Sequence, residues 1–235
     1  MKIIFEKMKL STKLLLFLLL TFMVLVVINA FSLKRKWQKI DKTNPFLNYE
    51  KLSERTFKFL KVNAANGVTG RVNILNMKKP QLFVSHNWAD MVTFKFKDDT
   101  LFVDFLKDSE GKTFTYDKFE KLVIITCPNV HSIETNNVSV EIDSLGQDQI
   151  KLLGKGYGSY EFRKMKIRDF EIALSGNSSC NFYVPEVQKI AFLKAKLSDK
   201  SNLNIRAILP GKILLENGLE TGLEMNGATL KLLGK

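Results

Sequence analysis

An all-β domain carried behind one membrane-spanning helix is the fold class this sequence predicts. Three observations lead there. Residues Leu14–Leu33 (LLLFLLLTFMVLVVINAFSL) hold no charged side chain between Lys13 and Lys34. From Phe57 onward, apolar residues recur with a period of two, and no window shows a convincing helical stripe. Polar breaks rich in Asn and Gly punctuate that region at Asn136-Asn137, Gly154–Gly158, Ser175–Ser179, Gly218 and Gly222.

The apolar stretch comes first in the chain. At about 1.5 Å of rise per residue, residues 14–33 span about 30 Å as a helix, the thickness of a bilayer's hydrocarbon core. Basic residues bracket both ends, where long side chains can reach the headgroups. A cleaved signal peptide is the competing reading: the start is basic and Ala30-Phe31-Ser32 is a passable exit. The apolar run is too long for that, and Lys34, Arg35, Lys36, Lys39 and Lys42 follow it at once. The sequence therefore favours an uncleaved anchor with the lipid bilayer as its partner. Lys and Arg counts on the two flanks do not decide orientation. A short N-terminus before a long C-terminal domain argues for an exported domain. The expected division is a cytoplasmic tail over 1–13, the anchor over 14–33, a basic juxtamembrane linker over 34–55 and one β domain over 56–235.

The net charge of +12 is misleading taken whole. Residues 1–42 hold nine Lys or Arg against two acids, and the remainder carries 27 against 22, spread along the chain. A nucleic-acid binder concentrates its excess as a patch on the folded domain. Here it flanks the membrane segment, where anionic lipid attracts each basic residue by about 1 kcal/mol, so nucleic acid is not an expected partner. Cys127 and Cys180 allow one disulfide in an exported domain. The favoured reading is that each is a small apolar core residue.

The strand pattern is read in order. Phe57–Val62 half alternates and Arg71–Ile74 alternates. Val92, Phe94 and Phe96 point one way, Asp98-Asp99 turns the chain, and Leu101, Val103 and Phe105 resume the alternation, which is a β-hairpin. A polar turn over Lys107–Lys112 precedes a possible strand at Phe114 and Tyr116. Leu122–Ile125 is a continuous apolar run of the kind buried on both faces. Val138–Ile142 and Ala228–Leu232 look like further short strands.

Spacing narrows the architecture. Leu174 and Leu197 are 23 residues apart, as are Phe182 and Ile205, each in a Leu-Ser or Asn-x setting. The offset from Ile205 to Leu232 is 27, a slipped register. A repeat in the low twenties, built of short strands and polar corners, suits the coil of a parallel β-helix. A β-sandwich is the alternative.

The run Phe57–Val62, Val72–Ile74, Val84, Asp99–Val103 and Leu122-Val-Ile-Ile-Thr-Cys-Pro-Asn-Val-His-Ser-Ile133, followed by Leu174-Ser175-Gly176, resembles the head GIN domain, a family described as auto-transporter adhesin heads of Bacteroidetes envelopes. The resemblance covers about Phe57 to Ile205 and implies a right-handed β-helix-like domain outside the cytoplasmic membrane, with no catalytic residues to carry over. The chain departs from the family pattern in lacking most Gly-Ala-Gly turns and in placing Cys127 in the Thr-x-Pro slot.

Little chemistry is written in the motifs. Gly111-Lys112-Thr113 ends like a phosphate loop but lacks its first Gly and its helix. Gly154–Gly158 lacks a strand–helix unit and reads as a place of close backbone approach. His86 and His131 lie 45 residues apart without ligand spacing, so no metal and no cofactor is expected. Asp98, Asp99, Asp104 and Asp108 read as solvated hairpin charges, and no catalytic set is assigned. Asn137-Val-Ser139 and Asn177-Ser-Ser179 fit the glycosylation sequon. The leading expectation is a non-enzymatic envelope module, single-pass in the cytoplasmic membrane, presenting its periplasmic domain to glycan, another envelope protein or its own copies. A β-helix polysaccharide-processing enzyme is the runner-up, with Arg163, Lys166 and Arg168 as the basic residues and no acid at a fixed offset from them. A sensor signalling through the first thirteen residues is a third reading, weakened by so short a tail.

Overall fold

The computed structural model describes residues 10–39, 41, 44–65, 68, 70–106, 121–183 and 188–233. The expected strand at Phe114 and Tyr116, the turn before it and the Gly111-Lys112-Thr113 segment lie outside these residues, as does most of the expected tail. The chain divides into two compact units, Met1–Leu47 and Asn48–Lys235.

Among its described residues the first unit holds one helix, α1 (Leu10–Lys39). It overruns the expected span at both ends because Ser11, Thr12 and the Lys-rich 34–39 segment contain no Gly or Pro to stop it. Lys36 and Lys39 occupy its last turn, where they complement the negative end of the helix dipole. Its apolar side chains are exposed except for the half-buried Leu16, and Thr21 returns its hydroxyl to the Phe17 carbonyl at 2.8 Å. By length and composition it is able to cross a membrane.

The second unit is built almost wholly of strands: β1 (Tyr49–Ser53), β2 (Phe59–Ala64), β3 (Gly70–Asn76), β4 (Gln81–Ser85), β5 (Val92–Lys97), β6 (Thr100–Phe105), β7 (Val123–Cys127), β8 (Ser132–Asn136) and β9 (Val138–Asp143). There follow β10 (Gly146–Lys155), β11 (Gly158–Arg163), β12 (Lys166–Leu174), β13 (Ser178–Tyr183), β14 (Gln188–Leu197), β15 (Asn202–Asn204), β16 (Ile208–Asn217) and β17 (Gly222–Glu224). One sheet has the order β1-β4-β7-β3-β9-β11-β13-β15-β17, the other β16-β14-β12-β10-β8-β2-β6-β5. Both are mixed, and among the described residues the antiparallel pairs are β1–β4, β4–β7 and β5–β6. Among the described residues neither sheet closes on itself, so the fold is a pair of open sheets over a shared core, and a closed coil is not seen.

From β8 onward the chain changes sheet at every strand, and from β10 each new strand pairs in parallel with the one before last. Tyr160 on β11 faces Val140 on one side and Cys180 on the other, 20 residues each way. The Leu174–Leu197 pair that the sequence suggested is real. Its 23-residue offset, however, belongs to one round of the chain that carries three extra residues between Tyr183 and Ile190; the underlying period is 20. The expected strand Ala228–Leu232 is instead the short helix α2 (Gly227–Leu233). Asn226 caps it, its Oδ1 accepting from the Thr229 N–H at 2.8 Å, which starts a helix where alternation alone reads as a strand. The expected linker over 34–55 likewise contains β1, held to β4 by an antiparallel ladder.

The core explains why the repeat works. Stacked positions give continuous inward columns, Val140–Tyr160–Cys180–Leu203 and Ile142–Phe162–Phe182, with Ile205 buried beyond Leu203. Phe162 and Phe182 lie parallel with centroids 5.2 Å apart, and Phe170 from the other sheet meets both edge-on. The corners stack too. Asn137, Gly156, Gly176 and Asp199 all have positive φ at equivalent corners of successive rounds, and the Gly156 and Gly176 backbones approach too closely for a Cβ between them. The hairpin of β5 and β6 turns at Asp98-Asp99, with Asp98 at φ 52°. All five residues of β7 are buried, as a continuous apolar run predicts.

Candidate interaction face

Parallel in-register stacking puts residues of successive rounds into rows, and on the outward faces those rows are charged. On the β16–β5 sheet, Lys61 and Lys155 flank Glu134 at 2.8 and 3.6 Å. One row over, Lys151 and Lys194 flank Glu171 at 3.4 and 3.3 Å. The Lys61 hydrogen bond holds the Glu134 carboxyl below the usual carboxylate range. Burial pushes Glu171 upward, but hydrogen bonds from Lys194 and Lys151 outweigh it and keep that carboxyl low as well.

The second row borders a groove of about 650 Å³ running across β10, β12 and β14. Its walls include Lys151, Arg168, Asp169, Glu171, Phe192 and Lys194. A local irregularity in each strand turns two consecutive residues outward, Arg168-Asp169 on β12 and Ala191-Phe192 on β14, which widens the face. Arg168 reaches Asp169 at 3.1 Å and Asp148, its neighbour 20 residues back, at 4.0 Å. The sequence reading of Arg168 as lacking an acid at a fixed offset is therefore corrected: the period of 20 brings Asp148 beside it.

The three basic residues singled out in the sequence do not converge. Lys166 and Arg168 lie on β12, whereas Arg163 lies on β11 in the other sheet. There Arg163 holds Glu161 at 2.8 Å and Glu141 at 3.1 Å, with Arg71 also on Glu141 at 3.3 Å, and its guanidinium sits 5.8 Å from the centre of the Tyr183 ring. The Glu161 hydrogen bond raises its pKa further.

The remaining candidates are structural. Asp99 pairs with Lys58 at 2.9 Å and Asp104 accepts from Asn63 at 3.1 Å, while Asp108 lies outside the described residues. His86 opens a 3₁₀ turn after β4, and His131 meets Phe59 edge-on with ring centres 6.1 Å apart. Among the described residues, no group of three His, Cys, Asp or Glu side chains is placed to hold a metal ion. Cys127 and Cys180 are buried and unpaired; burial pushes the Cys127 thiol up to about 12 and the Cys180 thiol up as well, so both are inert. Burial also pushes the Tyr160 hydroxyl up to about 12, against the hydrogen bond with Thr135 at 2.6 Å. Neither the groove nor the Thr135–Tyr160 pair was found from sequence; the 20-residue offset was the signal that could have located the groove, whereas Thr135 and Tyr160 meet across the two sheets.

No family model matches the chain, and no curated protein does. Among solved structures it is similar to a candidate adhesin from Bacteroides fragilis, at 15% identity and a TM-score of 0.49 over 76% of this chain and 96% of that one. A candidate lipid-binding protein from Parabacteroides distasonis has 10% identity and a TM-score of 0.39, over 76% and 94%. A candidate cell adhesion protein from Clostridium sporogenes has 12% identity and a TM-score of 0.26, over 75% and 96%.

Proposed function

We propose that this chain is a membrane-anchored, non-enzymatic binding module of the cell envelope, with α1 in the cytoplasmic membrane and the two-sheet domain on its outer, periplasmic side. The period of 20 is read as that of a coil of the head GIN type, wound through two faces. The groove beside Lys151, Arg168 and Lys194 carries the binding reading. It is set on stacked strands, which makes it rigid, and alternating charges beside Phe192 suit a polar polymer with apolar faces, such as a glycan. Rigid charged rows add specificity and encounter rate rather than raw affinity.

Co-sedimentation with purified peptidoglycan sacculi and with envelope polysaccharide tests this. Wild-type chain in detergent is expected to pellet with one of them, and the Lys151→Glu, Arg168→Glu double variant to stay in the supernatant. Equal pelleting of both forms, or of neither, would rule out the groove as the binding site.

A polysaccharide-processing enzyme remains the second reading, favoured by Asp148 and Asp169 beside Arg168. Against it, Glu171 is kept ionised by two lysines and so acts as a fixed anion, not as a proton donor. Release of new reducing ends from the bound polymer would replace the binding reading with the enzymatic one.

A further inference from the structure

The end of the strand stack is unfinished in a specific way. Among the described residues, β16 is the edge strand of its sheet and pairs only with β14. Its inward residues Ile213 and Leu215, in register with the fully enclosed Leu193 and Ala195, are only half-buried, as are Leu223 and Met225 in the last round of the other sheet. The helix α2 closes the start of β16, where Thr229 Oγ1 and Asn226 Nδ2 both bond to the Ile208 carbonyl at 3.2 and 3.1 Å. Those tethers lie away from the 211–217 half of the strand.

That half also has its backbone polarity turned outward. The Gly218 N–H donates to the Leu197 carbonyl at 2.9 Å. In a parallel strand, alternate residues bond to alternate sides, so the N–H and C=O of Ile213, Leu215 and Asn217 point to the open edge. An exposed edge of this kind is a template for another strand unless it is blocked.

We infer that the occupant is a second copy of this chain, pairing β16 with β16 in antiparallel fashion about a two-fold axis at Leu214. The side-chain pattern of β16 is self-complementary about that residue. On the outward face, Lys212 of one copy falls opposite Glu216 of the other, and Leu214, half-exposed, meets its own counterpart. On the inward face, Ile213 falls opposite Leu215, extending the apolar columns from one copy to the next. Lys212 has no acidic partner within its own chain among the described residues, while Glu216 is exposed and touched from one side by Lys196 at 3.0 Å. A shift of the axis by one residue in either direction would place Lys212 opposite Leu214 or Gly218 instead of Glu216, and a one-residue slip of register would pair inward with outward side chains. The same patch on both copies is the self-matching geometry that a two-fold dimer needs.

The axis makes the test direct. Leu214 sits in a non-hydrogen-bonded pair, where facing Cα atoms lie about 4.5 Å apart, within the range a disulfide bridges. Leu214→Cys in the full chain in detergent is expected to link to itself rapidly under mild oxidation. Leu219→Cys, more exposed but off the axis, measures random collision and helix-driven proximity in the same micelles. The native cysteines are buried and do not compete. In the Leu214→Cys background, Lys212→Glu should slow linking at least several-fold, and adding Glu216→Lys should restore it. Linking at 214 no faster than at 219, or failure of the charge exchange to restore it, would overturn the proposal; fast linking unaffected by Lys212→Glu would show a different register or a different occupant of the edge, and overturn it equally.

Discussion

At the scale of single residues, the corners and the buried polar groups decide most. Gly176 has φ +77°, and an added Cβ would lie 2.8–3.0 Å from the backbone of Gly156. Gly176→Ala is expected to cost more than about 1 kcal/mol, since strain and contact act together. Gly227 opens α2 with nothing near its missing Cβ, so Gly227→Ala should be neutral or slightly stabilising. Urea titrations of the two variants check the contrast. Asn73 gives the opposite sign. Its side-chain amide is buried between Ile124 and Glu141 in the row, with no hydrogen-bond partner among the described residues. An unmade buried hydrogen bond costs about 1–3 kcal/mol, so Asn73→Leu, close in volume, is expected to raise the melting temperature. An unchanged or lower value would mean that the amide is satisfied after all.

At the scale of elements, alternation was legible and offset was only half so. The β5–β6 hairpin and the buried run at β7 follow from period two and from apolar continuity, both of which are local. The pairing of Leu174 with Leu197 could be seen because both sit before Ser in similar settings. The true period could not, because the one round that looked most regular in sequence is the one with three extra residues. Ala228–Leu232 misled for a simpler reason: the cap that makes it helical is Asn226, outside the alternating window. The candidate groove was hidden because it needs Asp148 next to Arg168, a neighbourhood that exists only once the period is known. The columns themselves are testable. Ile205 is fully buried and Asn204, one position before it, faces outward with its Nδ2 on Glu224 at 3.0 Å. Ile205→Lys should cost several kcal/mol by burying an unpaired ammonium, and Asn204→Lys less than about 1 kcal/mol, since a lysine there still meets Glu224. Equal thermal shifts would refute the inward column. The charged rows add a pH dependence. The carboxyls of Glu134 and Glu171 are lower in the folded chain than in the unfolded one, so their contribution is present above the unfolded value of about 4.5 and is lost as pH falls through the folded values. Melting temperature should therefore fall on acidification below about pH 4.5, and less steeply in a Glu134→Gln, Glu171→Gln variant.

At the scale of the whole molecule, the first unit is where composition speaks most plainly, because a bilayer imposes a length and a polarity that no local packing can disguise. The twenty residues Leu14–Leu33 carry no charge on any side of α1, and no polar face exists that could turn to water if the helix packed on a soluble core. The proposed attachment has two physical modes, burial of the apolar span and attraction of the basic flank Lys34–Lys42 to anionic lipid. They respond differently to salt. Debye screening at molar salt acts within about 3 Å, which strips a chain held only by its lysines, whereas hydrocarbon burial is unaffected. Full-length chain is expected to stay in the membrane fraction through both high-salt and carbonate washes. Val24→Lys, at the middle of the span, adds about 2.5–3.5 kcal/mol to insertion and should shift a measurable share of the chain into the soluble fraction. Retention also bears on processing: an uncleaved anchor keeps the residues before Leu14 on the membrane-bound chain. Release of a protein that starts near Ser32 or Leu33 would instead identify the segment as a cleaved signal, and with it the two-sheet domain would lose its tether.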